Sequence, residues 1–401
     1  MPAVVGMVPA LALRTATVFS AETTPGDDIR LGGREMCRRA IKFLAAVYDP
    51  SQALFPFTTR LDHGTYRSVY DHPRVIRSTI NCLVGLEEAA RFSTLDGFTS
   101  SPESMVADFV ARHRQRVVEP ADLGLLLLLL AGNEVSPPLR QELVAAIGTI
   151  AGYSGARSRL TAQDLCWMLW GCCAAIGAGV AAGERPARQL FFQLTKYFAP
   201  RSSALARHDL RPGRFGIVSF GASAYFLRCL HEYADRFDDH DADRRFLAGV
   251  RALLGAQGPY GEWPWLLSNS DGRPLDVYPV FSVHQHSMSL LFLLPAFEKG
   301  LQEAGDAIRR SLAWVAGDNQ LHRPMVHDEP FLIYRSLERK SRAPRPQRFA
   351  RALVTVASGR RGGLAAPGKL RINTESRSYE MGWLLFALSD AQRIGRVIER
   401  W

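Results

Sequence analysis

Helical apolar periodicity recurs along almost the whole chain, and this feature limits the possible fold more than any other. Apolar residues lie three and four positions apart, as on the face formed by Met36, Ala40, Phe43, Leu44 and Val47. No stretch sustains the apolar–polar alternation that is typical of a half-buried strand. We therefore predict an all-α protein of about twelve helices, with few and short strands and antiparallel neighbours joined by short connections.

Prolines and capping residues within this pattern predict where the helices begin. Pro73 opens a helix, and Thr161 with Asp164 forms a capping box at the start of another. The other predicted helices are 34–48, 102–116, 121–131, 136–151, 185–199, 215–235, 242–256, 284–299, 301–315, 347–357 and 379–398. We predict a loosely ordered N-terminal extension at 1–33 and a single domain at 34–401.

The composition excludes several classes of protein. The six cysteines lie mostly in apolar, helix-like runs, so we expect buried free thiols and no zinc site. The apolar N-terminus lacks a basic region, and no apolar run approaches the roughly 20 residues that span a bilayer. We expect a cytoplasmic protein without a transmembrane segment, and no cofactor or metal is implied.

The positive charge is concentrated near the C-terminus. From Arg335 to Arg371 there are eleven Lys and Arg residues against one acid, a surplus of ten that equals the surplus of the whole chain, 49 minus 39. Proline and glycine predict a loop over much of 338–371. This basic loop is either solvated or contacts an anionic partner such as a membrane surface, a polyanionic sugar or a diphosphate. No nucleic-acid-binding motif accompanies it, so we do not expect a nucleic acid partner.

The segment 257–286 combines aromatic and titratable side chains between two predicted helices. Glycines and prolines end the first helix, and the second continues through Met288 and Leu294. Surface loops favour small polar residues, and exposed tryptophan is costly. A connection of this composition is typical of the mouth of a helical cavity.

Two sets of residues carry a resemblance to known families. Phe246 and Leu247, followed by Gln257, Gly261 and Trp263, resemble the QW-type turn of terpenoid cyclase and prenyltransferase toroids and the Gly-x-Trp turn of six-hairpin glycosidase-like toroids. Similarity to bacterial six-hairpin proteins of undefined activity lies in segments 278–286, 317–321 and 373–379. The resemblance implies an (α/α)6 toroid whose inner helices surround a cavity, with substrate bound at one mouth.

The motifs present in this sequence distinguish among the reactions that such toroids catalyse. The Asp-x-Asp-Asp acid of a class II terpenoid cyclase is absent, and so is the Cys-His-Gly zinc motif of lanthionine cyclases. The acidic run 238–243 invites comparison with a magnesium–diphosphate site. Arginines flank it between two predicted helices, and we therefore interpret it as a hinge in which Asp241 or Asp243 caps a helix.

A saccharide site fits the remaining residues better. Pyranoses present apolar faces and a rim of hydroxyls, which aromatic rings and forked polar groups complement. We predict catalytic roles for Glu262, Asp276, Tyr278, His284 and Glu375. We predict substrate binding by Trp263, Trp265, His286, Asn373, Arg377 and Tyr379. Glu262 or Glu375 paired with Asp276 would hydrolyse a glycoside. Alternatively, Tyr278 or His284 would remove a proton next to a uronate carboxylate held by Arg377, as in a lyase or epimerase.

Other interpretations remain open. Trp263 and Trp265 would serve equally well to plug the floor of the barrel, and Glu375 with Arg377 to form a structural ion pair. The favoured function is a carbohydrate-active enzyme that acts on a saccharide or a glycan precursor. The alternatives are a terpenoid cyclase-like enzyme with an isoprenoid substrate and a non-catalytic toroid that binds a glycan or a protein.

Overall fold

In the computed structural model the chain is described over residues 25–132, 137–155, 160–198, 205–208, 216–341 and 344–399. The helices in these ranges are α1 Pro25–Val47, α2 Val75–Ala90, α3 Pro102–His113, α4 Pro120–Ala131, α5 Pro137–Gly155, α6 Ala162–Gly177, α7 Glu184–Thr195, α8 Phe220–Phe237, α9 His240–Leu254, α10 Leu290–Glu298, α11 Glu303–Ala316, α12 Arg345–Ala357, α13 Ser378–Leu388 and α14 Ala391–Glu399.

The strands are all short, as the sequence predicts. They are β1 Thr58–Asp62, β2 Thr65–Val69, β3 Ile217–Ser219, β4 Leu266–Ser268, β5 Pro274–Asp276, β6 Val280–Phe281, β7 Val326–His327, β8 Leu332–Ile333, β9 Ser336–Arg339 and β10 Leu370–Asn373. They form two hairpins, β1–β2 and β7–β8, and two antiparallel three-stranded sheets in the orders β3–β4–β5 and β10–β9–β6.

Six helices form a closed inner ring. Around the ring α2, α4, α6, α8, α10 and α13 pack each on the next, α13 packs back on α2, and a π-helical turn at His284–Met288 continues α10 toward its N-terminus. An outer layer covers the ring, with α3 on α2, α5 on α4, α7 on α6, α9 on α8, α11 on α10 and α1 on α13. The predicted (α/α)6 toroid is confirmed.

Glycines let the inner helices approach at backbone distance. A Cβ atom added at Gly85 of α2 would lie 2.0 Å from the carbonyl oxygen of Gly382 of α13. A Cβ atom added at Gly171 of α6 would lie 2.3 Å from the carbonyl oxygen of Gly124 of α4. Real Cβ contacts are much longer, so these crossings require glycine. The ring closes tightly because glycines let the helix backbones meet at two of its six junctions.

Tryptophans fill the axis of the ring. Trp170 of α6 and Trp383 of α13 stack with their ring centroids 5.7 Å apart, and Tyr225 of α8 lies 5.8 Å from Trp383. Trp263 and Trp265, the alternative candidates for a plug of the floor, make no ring contact with this stack among the described residues. Trp263 packs against Phe220 in the core, and its indole nitrogen donates to Ser311 Oγ at 2.8 Å.

The predicted element ends need small corrections. The capping box of α6 is confirmed, with the Asp164 amide donating to Thr161 Oγ1 at 3.2 Å. Helix α1 begins at Pro25, before the predicted start, and residues 1–24 lie outside the described ranges. The cap of α9 is Asp239, whose carboxylate accepts from the Ala242 amide at 2.9 Å, and not Asp241 or Asp243. The segment 338–371 is a loop only in part, because it contains α12 and strand residues.

We expect Gly85→Ala and Gly382→Ala each to lower the free energy of unfolding by about 1–3 kcal/mol, because the added methyl overpacks the contact between α2 and α13. Gly148→Ala is the matched control, since its Cβ would meet no atom within 4 Å in the exposed face of α5. That control should raise stability by up to about 1 kcal/mol. Urea unfolding followed by circular dichroism measures all three, and equal stability of Gly85→Ala and the wild type would contradict the role of the crossing.

Candidate active site

A cavity of about 800 Å³ opens at one mouth of the ring. Most of its wall comes from the first turns of inner helices α2, α6, α8 and α13 and from the π-helical turn. The residues that line it are Phe57, Arg74, Arg77, Ser78, Asn81, Gln163, Trp167, His208, Ile217, Ser219, Gly221, Ala222, Tyr225, Trp265, Leu266, Phe281, Val283, His284, Met288, Arg335, Phe349 and Tyr379. The N-terminal ends of parallel helices therefore converge on one cavity.

The electrostatics of this mouth favour an anion. Each helix N-terminus carries a partial positive charge, and Arg74, Arg77 and Arg335 add full charges to the wall. Arg77 pairs with the buried carboxylate of Asp122. Arg74 is exposed, and no described acid pairs with it. No Asp or Glu is among the described lining residues.

Three polar atoms on the wall lack a partner in the described protein. They are Asn81 Oδ1, Trp167 Nε1 and His284 Nδ1, on side chains that are almost completely buried. A buried polar group without a hydrogen bond is costly, and such groups are usually satisfied by water or by a ligand. The acceptor, the donor and the imidazole nitrogen are therefore available to bind the hydroxyls of a substrate.

The structure brings three of the predicted site residues to this cavity, Trp265, His284 and Tyr379. The guanidinium of Arg348 stacks 4.1 Å from the centre of the Trp265 ring. Burial, together with the nearby charge of Arg335, lowers the pKa of His284 to about 3, so the imidazole is neutral at pH 7. Burial raises the pKa of Tyr379 above the ordinary value for a phenol, so this side chain remains protonated.

Glu262 is not in the cavity lining. Its buried carboxylate accepts a hydrogen bond from the Tyr260 amide at 3.0 Å, within its own turn, and burial raises its pKa. In the same turn the Gln257 amide nitrogen donates to three oxygens, those of Gly261, Ala307 and Ser311, at 3.0–3.1 Å. This turn therefore fixes the connection between α9 and α11 and does not present an acid to the cavity.

Asp276 is also held away from the cavity by arginines. Its carboxylate accepts from Arg339 Nη1 at 3.1 Å and from Arg348 Nη2 at 3.4 Å. Tyr278 lies in a second apolar core, where its carbonyl accepts from Arg348 and its hydroxyl accepts from the Ala365 amide at 3.4 Å. Both residues tie α12 and β9 to the sheet at the cavity mouth, so the structure gives them a framework role.

Glu375 and Arg377 form a structural ion pair beside the cavity wall. Arg377 Nη2 lies 2.5 Å from Glu375 Oε1, and Arg335 donates to the same oxygen at 3.2 Å. Arg377 covers the ring of Phe57, and Asn373 Oδ1 accepts from the Glu375 amide at 3.2 Å. Of the 373–379 junction, only Tyr379 reaches the lining, and the others position Arg335.

His286 lies on the opposite side of the π-helical turn from the cavity. It is fully buried, its Nδ1 bonds to the hydroxyl of Ser287 at 2.6 Å, and it is not a described lining residue. Burial lowers its pKa to about 3. The two junctions 257–286 and 373–379 thus converge through Trp265, His284 and Tyr379, whereas the five other predicted residues of 257–286 face the framework.

The sequence interpretation missed five lining residues near the helix starts. They are Arg74, Arg77, Asn81, Trp167 and Tyr225. Their signal was present, because they occupy the start or the first two turns of α2, α6 and α8, and Pro73 and Thr161 mark the starts of α2 and α6. Inner helices of a closed ring of hairpins run parallel, so their first turns must share one mouth.

Glu380 is a further residue that the sequence interpretation missed. It is completely buried at the start of α13, and neither carboxylate oxygen has a hydrogen bond of good geometry, although Tyr379 lies beside it. Burial raises its pKa to about 7, and the charges of Arg335 and Arg377 oppose that rise. In the sequence Glu380 stands out as an acid in an otherwise apolar helix. An acid near a helix start is also typical of a capping residue, so this signal does not by itself indicate a site.

Three further features of the described residues bear on the earlier expectations. No group of three or more His, Cys, Asp and Glu residues is placed to hold a metal ion within the described ranges. All six cysteines are buried and free. Among the described helices, none has the length and apolar content needed to cross a membrane.

No family sequence model matches the chain, and no curated protein matches it by sequence. Solved structures share its fold at low identity. The unsaturated glucuronyl hydrolase of Bacillus sp. GL1 is 13% identical, with a TM-score of 0.57 over 89% of this chain and 96% of the other. The cellobiose 2-epimerase of Spirochaeta thermophila is 12% identical, with a TM-score of 0.63 over 94% and 99%.

A third solved structure extends over nearly the whole of both chains. It is described as a possible member of the GH105 family from Salmonella enterica serovar Paratyphi A, and it is 11% identical, with a TM-score of 0.57 over 98% of this chain and 100% of the other. All three are toroids of the six-hairpin glycosidase-like class. The resemblance to this class is therefore confirmed at the level of the fold.

We expect Asp276→Asn to lower the free energy of unfolding by about 1–3 kcal/mol, because two partly buried arginines lose their counter-charge. Asp271→Asn is the matched control, since its carboxylate is half exposed and pairs only with the nearby Arg273. Urea unfolding measures both. Unchanged stability of Asp276→Asn, combined with loss of activity, would restore the catalytic interpretation of Asp276.

The buried histidines predict a pH dependence of stability. Their folded pKa lies below the ordinary value of 6.5, so the unfolded chain binds more protons and stability falls as the pH drops below 6.5 toward 3. His286→Gln should make this fall shallower by up to about 1.4 kcal/mol per pH unit. Unfolding curves between pH 4 and 7 measure the slope, and identical slopes would contradict the burial of a neutral His286.

Proposed function

We propose that the protein is an enzyme that transfers a proton at the carbon next to the carboxylate of an acidic sugar, as a lyase or an epimerase does. The observation that carries the proposal is the composition of the cavity wall. It combines arginines and helix N-termini, three unpartnered polar atoms and aromatic rings, while its described lining contains no carboxylate. Such a wall suits an anionic, hydroxyl-rich and partly apolar ligand.

Different side chains of the cavity wall would bind the carboxylate, the apolar face and the hydroxyls of the sugar. Arg74 and Arg335 would hold the sugar carboxylate, since a guanidinium pairs with a carboxylate through two parallel bonds. Trp265, already covered on one side by Arg348, would offer the edge of the indole and part of its face to a pyranose. Asn81 Oδ1 and Trp167 Nε1 would accept from and donate to hydroxyls.

His284 would act as the base. Its imidazole is neutral, buried and unbonded at Nδ1, so it can accept a proton. A low pKa makes a weak base in the empty cavity, and the negative charge of a bound carboxylate would raise it. The arginines would stabilise the charge that develops on the carboxylate when the proton leaves. Tyr379, which remains protonated, would return a proton to the carbon in an epimerase reaction, or would protonate the departing glycosidic oxygen as its bond to the sugar breaks in a lyase reaction.

Hydrolysis by paired carboxylates has less support from the described site. That mechanism needs two carboxyl groups on either side of the scissile bond. Glu262, Asp276 and Glu375 are all engaged by amides or arginines outside the described lining. The fold relatives include a glucuronyl hydrolase and an epimerase, which supports a sugar as the substrate class.

We expect turnover of an acidic oligosaccharide in deuterium oxide to place deuterium on the carbon next to the carboxylate, or to form an unsaturated uronate. Nuclear magnetic resonance of a panel of saturated and unsaturated uronate oligosaccharides detects either product. His284→Gln should reduce kcat by about 10²-fold or more, the usual contribution of a general base. His240→Gln, at an exposed position on α9, is the matched control and should leave kcat unchanged.

Other results would decide against proton transfer. Release of a sugar with neither deuterium incorporation nor a new unsaturated uronate would indicate hydrolysis instead. Binding of the panel without turnover would indicate a glycan-binding protein. Turnover that tolerates His284→Gln but not Glu380→Gln would move the base to the buried carboxyl.

A further inference from the structure

The structure divides the basic segment between 335 and 371 into internal and surface charges. Four of its eleven basic residues bind acids of the fold, since Arg335 pairs with Glu375, Arg339 and Arg348 with Asp276, and Arg371 with Glu338. Five others are exposed, and no described acid pairs with them. They are Lys340, Arg351, Arg360, Arg361 and Lys369. Because the rest of the chain is neutral, the segment 335–371 carries the excess charge of the protein, and five of its eleven basic residues lie on this surface.

Helix α12 places this surface at the mouth of the cavity. Its inner face lines the opening, with Phe349 in the cavity wall, Arg348 on the ring of Trp265, and Ala352 buried. Arg351 lies within one helical turn of Phe349 and faces outward. The following chain returns along β5, where the Gly362 amide donates to the Pro274 carbonyl at 2.8 Å. Lys340 and Lys369 are neighbours through the bond of the Lys340 amide to the Lys369 carbonyl at 2.8 Å.

Exposed aliphatic side chains accompany these cations. On α12, Val354 is 67% exposed and Leu353 is 37% exposed, and Leu364 in the returning chain is 44% exposed. A single exposed aliphatic residue needs no explanation, but three within twelve residues of a basic segment form the combination that favours a lipid–water interface. Cations alone would suit any polyanion. The aliphatic groups add the element that a soluble polyanion does not require.

We propose that the mouth surface, formed by Lys340, Arg351, Leu353, Val354, Arg360, Arg361, Leu364 and Lys369, docks the protein on an anionic phospholipid surface. The cations are attracted to the lipid headgroups, and the aliphatic side chains enter the boundary between headgroups and acyl chains. The cavity mouth then faces the headgroup layer. This inference concerns where the cavity opens and does not depend on the reaction proposed for it.

Vesicle sedimentation tests the proposal with the full chain. Wild-type protein should bind phosphatidylcholine vesicles that contain about one third phosphatidylglycerol at least about tenfold more strongly than pure phosphatidylcholine vesicles, and salt should weaken the binding. The triple variant Arg351→Gln, Arg360→Gln, Arg361→Gln should lose most of this binding. The double variant Leu353→Asn, Val354→Asn should lose about tenfold while it retains binding to heparin, a soluble polyanion.

A double variant on the outer helix α7 is the matched control. Arg185→Gln with Phe192→Asn removes one exposed cation and one side chain that is 67% exposed, and vesicle binding should be unchanged. Thermal melting checks that every variant is folded. The proposal is overturned if the wild type does not bind anionic vesicles. It is also overturned if Leu353→Asn, Val354→Asn binds vesicles as well as the wild type, because the surface would then recognise a polyanionic chain through charge alone.

Discussion

The close approach of the inner helices is the constraint on which the rest of this structure depends. Gly85 against Gly382 and Gly124 against Gly171 bring backbones into contact at two junctions of the ring. Inner helices that approach one another this closely leave space on the axis for only a few large side chains. The stacked indoles of Trp170 and Trp383 fill that space. The stacked indoles therefore occupy part of the axis between the two ends of the ring.

The parallel direction of the inner helices decides the chemistry of the two ends. The N-termini of α2, α6, α8 and α13 meet at the large cavity, where Arg74, Arg77 and Arg335 strengthen their positive potential. At the opposite end, a smaller cavity of about 260 Å³ is lined by Glu87, Glu88 and Glu232 together with three arginines. One end of the ring is therefore positively charged and suited to an anion. At the other end the three glutamates and three arginines balance one another in charge.

Charge pairing explains why most acids of the central segment are not in the cavity. A carboxylate buried near arginines gains more from charge-assisted hydrogen bonds than from facing an open cavity. Asp276 pairs with Arg339 and Arg348, and the pair with Arg348 holds α12 beside the mouth. Glu375 fixes Arg335, which does reach the wall. The acids therefore act on the cavity indirectly, by placing the basic groups that line it.

The sequence by itself determined the class of fold and most of the helices, because helical periodicity, capping residues and prolines act over a few neighbouring positions. It also predicted Trp265, His284 and Tyr379, which adjoin helix starts in aromatic and polar surroundings and which the structure places in the cavity wall. Only the tertiary structure placed Asp276 and Glu375 outside the described lining, since Asp276 is held by Arg348, 72 residues away in the chain, and Glu375 by Arg60, 315 residues away. It also decided that Asn81 and Trp167 belong to the same wall. Which side chains share a cavity depends on how the ring closes, and no local pattern records that closure.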